Sequence, residues 1–243
     1  MRTPLVERIA PGGRLLRAWQ PPGQIQPRVT AVEVALPDGA TLRFIARRNA
    51  HAAKEFRLLG ALRGQLPVPR PLALLDGVVA TEFVAGKPDP VPPAPAMAEL
   101  LARIHRAKVD LAWLPPAAGP VPANPPALLH GDLWPGNVLW RDGRPAAVID
   151  WEDAARGDPL ADLANSRLEL LWARGANAMR AFTNAYRSAM DLDYRPLPRW
   201  DLHVARRAAS AIGGWGLAPA RLRRMRAQAG WFRRQAALAL RGE

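Results

Sequence analysis

Leu128-Leu129-His130-Gly131-Asp132-Leu133-Trp134-Pro135-Gly136-Asn137-Val138-Leu139-Trp140, followed by Arg141-Asp142-Gly143-Arg144 and Pro145-Ala146-Ala147-Val148-Ile149-Asp150-Trp151, is the stretch on which the fold turns. Two short apolar runs enclose a loop that carries a carboxylate, Asp132, and a carboxamide, Asn137. The four residues after Trp140 read as a turn, and the last run is an apolar strand that ends in an acid. Strand, loop, strand, turn and strand then bring Asp132, Asn137 and Asp150 to one end of a small hairpin. Acids at the edge of a buried element must be paired, protonated or metal-bound to offset their lost hydration. Asn137 and Asp150 offer hard oxygen ligands, which suit magnesium. Asp132 is left to accept a proton from an attacking hydroxyl.

On the N-terminal side of this stretch the pattern is mostly strand. Val32–Leu36 alternates apolar and polar residues, Pro37-Asp38-Gly39 turns, and Thr41–Arg47 returns, which is a hairpin signal. Ala50 to Gln65 is expected to be helical, with Ala52, Phe56, Leu59 and Leu62 as its apolar stripe. Two apolar runs, Pro71–Leu75 and Val78–Val84, flank Asp76-Gly77 as a second hairpin. The proline-rich patch Pro88–Pro95 resists regular structure and marks a boundary. Met97–Lys108 follows as an amphipathic helix with Met97, Leu100, Leu101 and Ile104 on one side. A second proline-rich loop runs from Pro115 to Pro126. From Asp162 onward the pattern is helical, interrupted near Asp191–Pro198 and at Gly213-Gly214.

Strands with one helix, then mainly helices, predict an α+β protein of two lobes with a cleft between them. The expected lobes are residues 1–86, a β-rich N-terminal lobe, and residues 87–243, a mainly helical C-terminal lobe. The chain has 243 residues and no cysteine, which excludes disulfides and thiolate zinc sites. The N-terminus lacks the apolar core of a signal peptide, and no run approaches a membrane span of about 20 apolar residues. A cytoplasmic protein without a membrane partner is the expectation. Net charge is +13, carried almost wholly by arginine, with fifteen arginines against five acids in residues 163–243. Such a field favours anionic partners and repels polycations.

His130-Gly131-Asp132 with Asn137, followed by Ile149-Asp150-Trp151, resembles the phosphotransfer core of the aminoglycoside phosphotransferase and choline kinase-like family, relatives of protein kinases. Glu152 through Ala164 continues the resemblance and separates it from protein kinases proper. What the resemblance implies is a protein-kinase-like fold, ATP and Mg2+ as cofactors, and a hydroxyl of a small metabolite as acceptor. It makes Asp132 the catalytic base, and Asn137 and Asp150 the metal ligands. His130 becomes scaffolding for the loop, His105 a packed residue, and Asp158 and Asp162 structural acids. The family's strand cation and helix glutamate fall on Arg47 and Glu55, with Arg48 competing because one residue of register changes the sheet face. Thr81, Phe83 and Val84 resemble the hinge that binds the adenine edge.

One departure stands out. The family's small phosphate-covering turn is replaced here by Gln20–Pro27, where prolines have no N–H to offer phosphate oxygens. This loop raises the alternative of a catalytically silent, nucleotide-sensing relative. A further alternative is a nucleic-acid-binding module, from the net charge and the basic stretch Arg221–Arg226, against which a docked terminal helix with a solvated arginine face weighs more heavily. Within the kinase reading, residues 163–243 offer few acids for a polycationic acceptor, so a neutral or anionic acceptor is expected.

Overall fold

The computed structural model describes residues 4–21, 28–89 and 91–242. Residues 22–27 of the loop Gln20–Pro27 lie outside the described residues. The elements in chain order are α1 (Pro4–Ile9), β1 (Arg14–Trp19), β2 (Val29–Ala35), β3 (Thr41–Arg48), α2 (Ala52–Leu62), β4 (Pro71–Leu75), β5 (Val78–Glu82), β6 (Lys87–Pro88) and α3 (Ala94–His105). They continue with β7 (Ala127–Leu129), a 3-10 turn (Pro135–Asn137), β8 (Val138–Arg141), β9 (Arg144–Val148), β10 (Ala155–Gly157), α4 (Leu160–Arg174), α5 (Ala176–Ala189), α6 (Leu197–Ala211), a second 3-10 turn (Ile212–Gly214) and α7 (Pro219–Ala239). The protein is of the α+β class, as its sequence pattern predicts.

The chain divides into two compact units, Met1–Lys87 with Leu139–Glu152, and Pro88–Val138 with Asp153–Glu243. The first is built on an antiparallel sheet of order β1-β2-β3-β5-β4. Val32, Val34 and Phe44 alternate onto one face of it, where they pack with Ala73, Ala80, Val6 of α1 and Ala10 just after that helix. Period-two alternation puts Arg47 on the opposite face from Phe44. Residues 139–152 join this unit because the Val148 N–H donates to the Pro67 carbonyl at 2.7 Å and the Trp151 N–H to Glu55 Oε1 at 3.3 Å.

In α2 the buried positions are Ala52, Glu55, Leu58, Leu59 and Leu62, with Phe56 only half-buried. The stripe is thus turned from the one the apolar residues alone predict, because Glu55 has a cation to pair with and can enter it.

The second unit is mainly helical. Met97, Leu100, Leu101 and Ile104 of α3 are all buried, as their spacing predicts. The helix starts earlier than expected, inside the proline-rich patch, because Pro95 sits in the first turn, where its missing N–H costs nothing. The long helical region breaks at Gly175, which holds φ 81° between α4 and α5. The loop Met190–Pro196 and the turn Ile212–Gly214 fall at the interruptions foreseen near Asp191–Pro198 and Gly213-Gly214. Among the described residues no helix is long and apolar enough to cross a membrane.

Candidate active site

The loop between β7 and the 3-10 turn is held from below by α4. Asp162, in the first turn of that helix and wholly buried, accepts the His130 N–H at 2.7 Å and the Gly131 N–H at 2.9 Å. Its Oδ2 also lies 3.4 Å from His105 Nε2, and the other ring nitrogen of His105 takes the Tyr186 hydroxyl at 2.6 Å. With Asp162 accepting, the proton of His105 belongs on Nε2 and Nδ1 is the acceptor. Burial pushes the Asp162 carboxyl up, but the hydrogen bonds from the His105 ring and the His130 N–H prevail, and it is held below the ordinary carboxylate range. One turn further on, Ser166 Oγ donates to the Leu133 carbonyl at 2.8 Å. Helix α4 thereby fixes both ends of the segment that carries Asp132.

Within the loop, His130 is fully buried and its Nδ1 accepts the Asp132 N–H at 3.2 Å. Gly131 has φ 84°, and a Cβ there would overlap the Asp153 carbonyl oxygen, so only glycine fits. Asn137 Nδ2 donates to the Asp132 carbonyl at 2.9 Å and to Asp132 Oδ2 at 3.2 Å. Those donations orient the amide, and among the described residues no hydrogen bond reaches Asn137 Oδ1. Asp158 braces the start of the helix: its carboxylate accepts the Leu160 and Ala123 N–H groups at 2.9 Å and Asn124 Nδ2 at 3.1 Å.

The first unit carries a second cluster. Arg47 Nη1 lies 3.1 Å from Glu55 Oε1, and its Nη2 lies 2.6 Å from Asp150 Oδ1 and 2.9 Å from Glu152 Oε2. Glu55 also accepts Asn49 Nδ2 at 2.7 Å. Burial pushes the Glu55 carboxyl up, with Arg47 and Asn49 pulling it back. The Arg47 guanidinium loses hydration by burial, yet Glu55, Asp150 and Glu152 together stabilise its charge further. Arg48 turns to the other face and donates to the Asp76 carbonyl at 2.8 Å. Of the two arginines, Arg47 is therefore the one that meets Glu55.

Asp150 adopts φ 68°, a left-handed conformation that Asp tolerates better than most residues. The fully buried Trp151, whose indole donates to the Val148 carbonyl at 3.0 Å, anchors that turn. Three carboxylates against one guanidinium leave excess negative charge at Asp150, which suits a cation. No hydrogen bond reaches Asp150 Oδ2 among the described residues. No group of three or more His, Asp or Glu side chains forms a ready-made metal cage among the described residues. Magnesium is compatible with so few protein ligands, because it takes most of its shell from phosphate oxygens and water.

Thr81 is buried in β5, paired with Ile45, and Phe83 is partly exposed, its ring centroid 6.3 Å from that of Trp19. The Phe83 N–H donates to the Arg43 carbonyl at 3.3 Å. Phe83 also lines a cavity of about 420 Å3 with Glu33, Thr41, Arg43 and Ala85. Val84, next to it, is half-buried. Asn49 and Glu152 have no assigned part in the sequence reading, although each binds a member of this cluster. Their adjacency to the Arg47–Arg48 strand end and to Asp150 was the available signal.

Residues 109–203 match the Phosphotransferase enzyme family. A 64-residue segment is 43% identical to the viomycin phosphotransferase of Streptomyces vinaceus, covering 25% of this chain and 21% of that protein. The match thus spans about a fifth of the curated relative. The fold is similar to that of a choline kinase from Streptococcus pneumoniae, with 15% identity, 98% of each chain covered and a TM-score of 0.65. It is also similar to a macrolide 2′-phosphotransferase from Brachybacterium faecium, with 21% identity, 97% of this chain and 95% of that chain covered and a TM-score of 0.59. The segment 109–203 that is similar to the Phosphotransferase enzyme family is the one that holds Asp132, Asn137 and Asp150.

Proposed function

We propose that the protein is an ATP- and magnesium-dependent kinase that moves the γ-phosphoryl group of ATP to a hydroxyl of a small metabolite. The observation that carries this reading is the loop held by Asp162 and Ser166, in which Asn137 is bonded to Asp132. Such fixing of a general base is what phosphoryl transfer demands, since its catalysis is mainly positioning and electrostatics. The family match and the names of the relatives, phosphotransferases of small molecules and a choline kinase, support the same reaction class.

In this reading Asp132 orients the acceptor hydroxyl and takes its proton. The freed oxygen forms a bond to the γ-phosphorus as the bond from that phosphorus to the β–γ bridging oxygen breaks, and ADP leaves. Asn137 and Asp150 would hold the Mg2+, which when bound would supply charge neutralisation to the phosphates. Arg47, kept in place by Glu55, contributes positive charge to the phosphates, and Thr81, Phe83 and Val84 receive the adenine. The acceptor is a small hydroxylated molecule, neutral or anionic, and the protein works in the cytoplasm without a membrane or nucleic-acid partner.

The test is ADP formation by the wild type and Asp132→Ala side by side across a metabolite panel. Turnover is expected to fall about a hundredfold or more, with ATP binding by calorimetry nearly unchanged. Full retained activity in the variant overturns the assignment.

A further inference from the structure

Helix α4 does more than hold the catalytic loop. Asp162, Asn165, Ser166 and Glu169 recur at the three- and four-residue spacing that lines up one helix face. Two of them, Asp162 and Ser166, bond the loop on either side of Asp132. The other two, Asn165 and Glu169, continue the same face and have no part in holding the loop.

Asn165 is 7% exposed, and its Nδ2 is buried with no hydrogen-bond partner among the described residues. The amide is oriented by its neighbour: Arg207 Nη2 donates to Asn165 Oδ1 at 2.9 Å, so Nδ2 must be the other end. A buried amide donor left unpaired costs about 1–3 kcal/mol, which a ligand oxygen would recover. Glu169 is the neighbour at the next turn, and burial together with the Asp132 charge pushes its carboxyl up to about 8, against the pull of Arg207 and Arg221. It is thus mostly protonated at neutral pH and itself a donor. Arg207 and Arg221 lie on the exposed surfaces of α6 and α7. Beyond the two groups that hold the loop, Asn165 Nδ2, Glu169, Arg207 and Arg221 each offer a hydrogen to an oxygen or a positive charge.

We infer that the acceptor carries, besides the hydroxyl that Asp132 activates, an anionic oxygen group, a carboxylate or a phosphate, received by Asn165, Glu169, Arg207 and Arg221. This rests on the phosphotransferase reading and narrows it. A polycationic acceptor would be repelled by the guanidinium groups of Arg207 and Arg221. Oxygen-rich anions match the donors in both sign and hydrogen-bond direction.

The experiment uses the full chain with labelled γ-phosphate ATP, magnesium and the small-molecule fraction of a cell extract. Labelled products are isolated and identified by mass spectrometry, which separates a carboxylate-bearing acceptor from one with its own phosphate. Either kind of acceptor is the expected product. In Arg207→Gln/Arg221→Gln, whose positions are exposed, KM for that acceptor should rise about tenfold or more with little change in kcat, the effect of losing charge-assisted bonds. A second variant, Asn165→Leu, should raise the same KM while leaving KM for ATP as it was. A neutral or cationic acceptor, or a KM within about twofold of wild type in both variants, overturns the inference. Asp132-dependent ATP hydrolysis without any labelled product overturns the acceptor class but leaves the kinase reading. Absence of Asp132-dependent hydrolysis as well overturns the kinase reading itself.

Discussion

Replacing Asp162 by Asn should separate the scaffold of the loop from its chemistry. In the native protein the two carboxylate oxygens take the His130 N–H at 2.7 Å and the Gly131 N–H at 2.9 Å, with His105 Nε2 at 3.4 Å. An amide has one oxygen to give, so one backbone N–H would face an NH2 group and stay unpaired in a buried place. The loss of a charge-assisted bond at about 1.5–3 kcal/mol and the unpaired donor at about 1–3 kcal/mol sum to about 2.5–6 kcal/mol. Domain stabilities are about 5–15 kcal/mol, so the variant should still fold at 25 °C. Because the freed backbone precedes Asp132, a shift of about 1 Å there lowers kcat by up to about a hundredfold. The sign with pH is fixed by the depressed carboxyl. Its stabilisation is fully present above the unfolded value, about pH 4, and is lost as pH falls through the lower folded value. The gap between variant and parent should therefore shrink in acid. Urea unfolding followed by tryptophan fluorescence and ADP release give the two readouts. A variant within about 1 kcal/mol of the parent, with kcat within about twofold, would refute the bracing role of Asp162.

Other expectations follow from single contacts. Ser166→Ala loses the bond to the Leu133 carbonyl and should cost about 1 kcal/mol, read by the same urea titration. Gly131→Ala forces an alanine to φ 84° against the Asp153 carbonyl and should cost about 2–4 kcal/mol with loss of turnover. Arg47→Met leaves the buried Glu55 without its cation and should destabilise by about 3–5 kcal/mol; full stability in the variant would show that the pair is not holding this cluster. Glu169, raised to about 8, contributes stability that is complete below the ordinary glutamate value and is lost as pH rises through about 8. Glu169→Gln should match the parent near pH 4 and exceed it above pH 8, and parallel pH–stability curves would refute the buried, protonated carboxyl.

The parts legible in the sequence are those with local signatures. The hairpin Val32–Leu36 to Thr41–Arg47 announced itself through alternation and a Pro-Asp-Gly turn, and β2 and β3 occupy it. Helix α3 was legible from Met97, Leu100, Leu101 and Ile104, though not its start, because proline is a breaker only where its missing N–H would be used. Arg47 against Arg48 could not be decided from spacing, since it depends on strand register; the bond of Arg48 to the Asp76 carbonyl places that side chain on the other sheet face. Asn165 and Glu169 were invisible as a pair, because a polar residue on a mainly apolar helix gains meaning only from what packs over it. The same holds for Asn49, which matters through a single bond to Glu55.

The charge of +13 also reads differently once the contacts of the arginines are known. Several in the helical unit are spent inside the protein. Arg167 grips Asp201 through Nε at 3.1 Å and Nη2 at 3.0 Å, Arg174 donates to the Pro92 carbonyl at 2.7 Å, Arg156 to the Leu114 carbonyl at 3.2 Å, and Arg106 to the Ala189 carbonyl. A guanidinium that closes a helix end or a loop carbonyl contributes to net charge as much as one that meets phosphate, yet presents less of it to a partner. Composition alone therefore overstates the field available to nucleic acid. The arginines of α7 differ: Arg223, Arg224, Arg226, Arg233 and Arg234 are exposed. If they formed a nucleic-acid surface, binding to any duplex would be tight and fall steeply with salt. The helix instead buries Met225, Ala229, Phe232 and Ala236 along one face, as a docked terminal helix does, and leaves its arginines to solvent. Fluorescence anisotropy with a labelled duplex at physiological salt should accordingly show no binding, and a salt-sensitive complex there would reverse this conclusion.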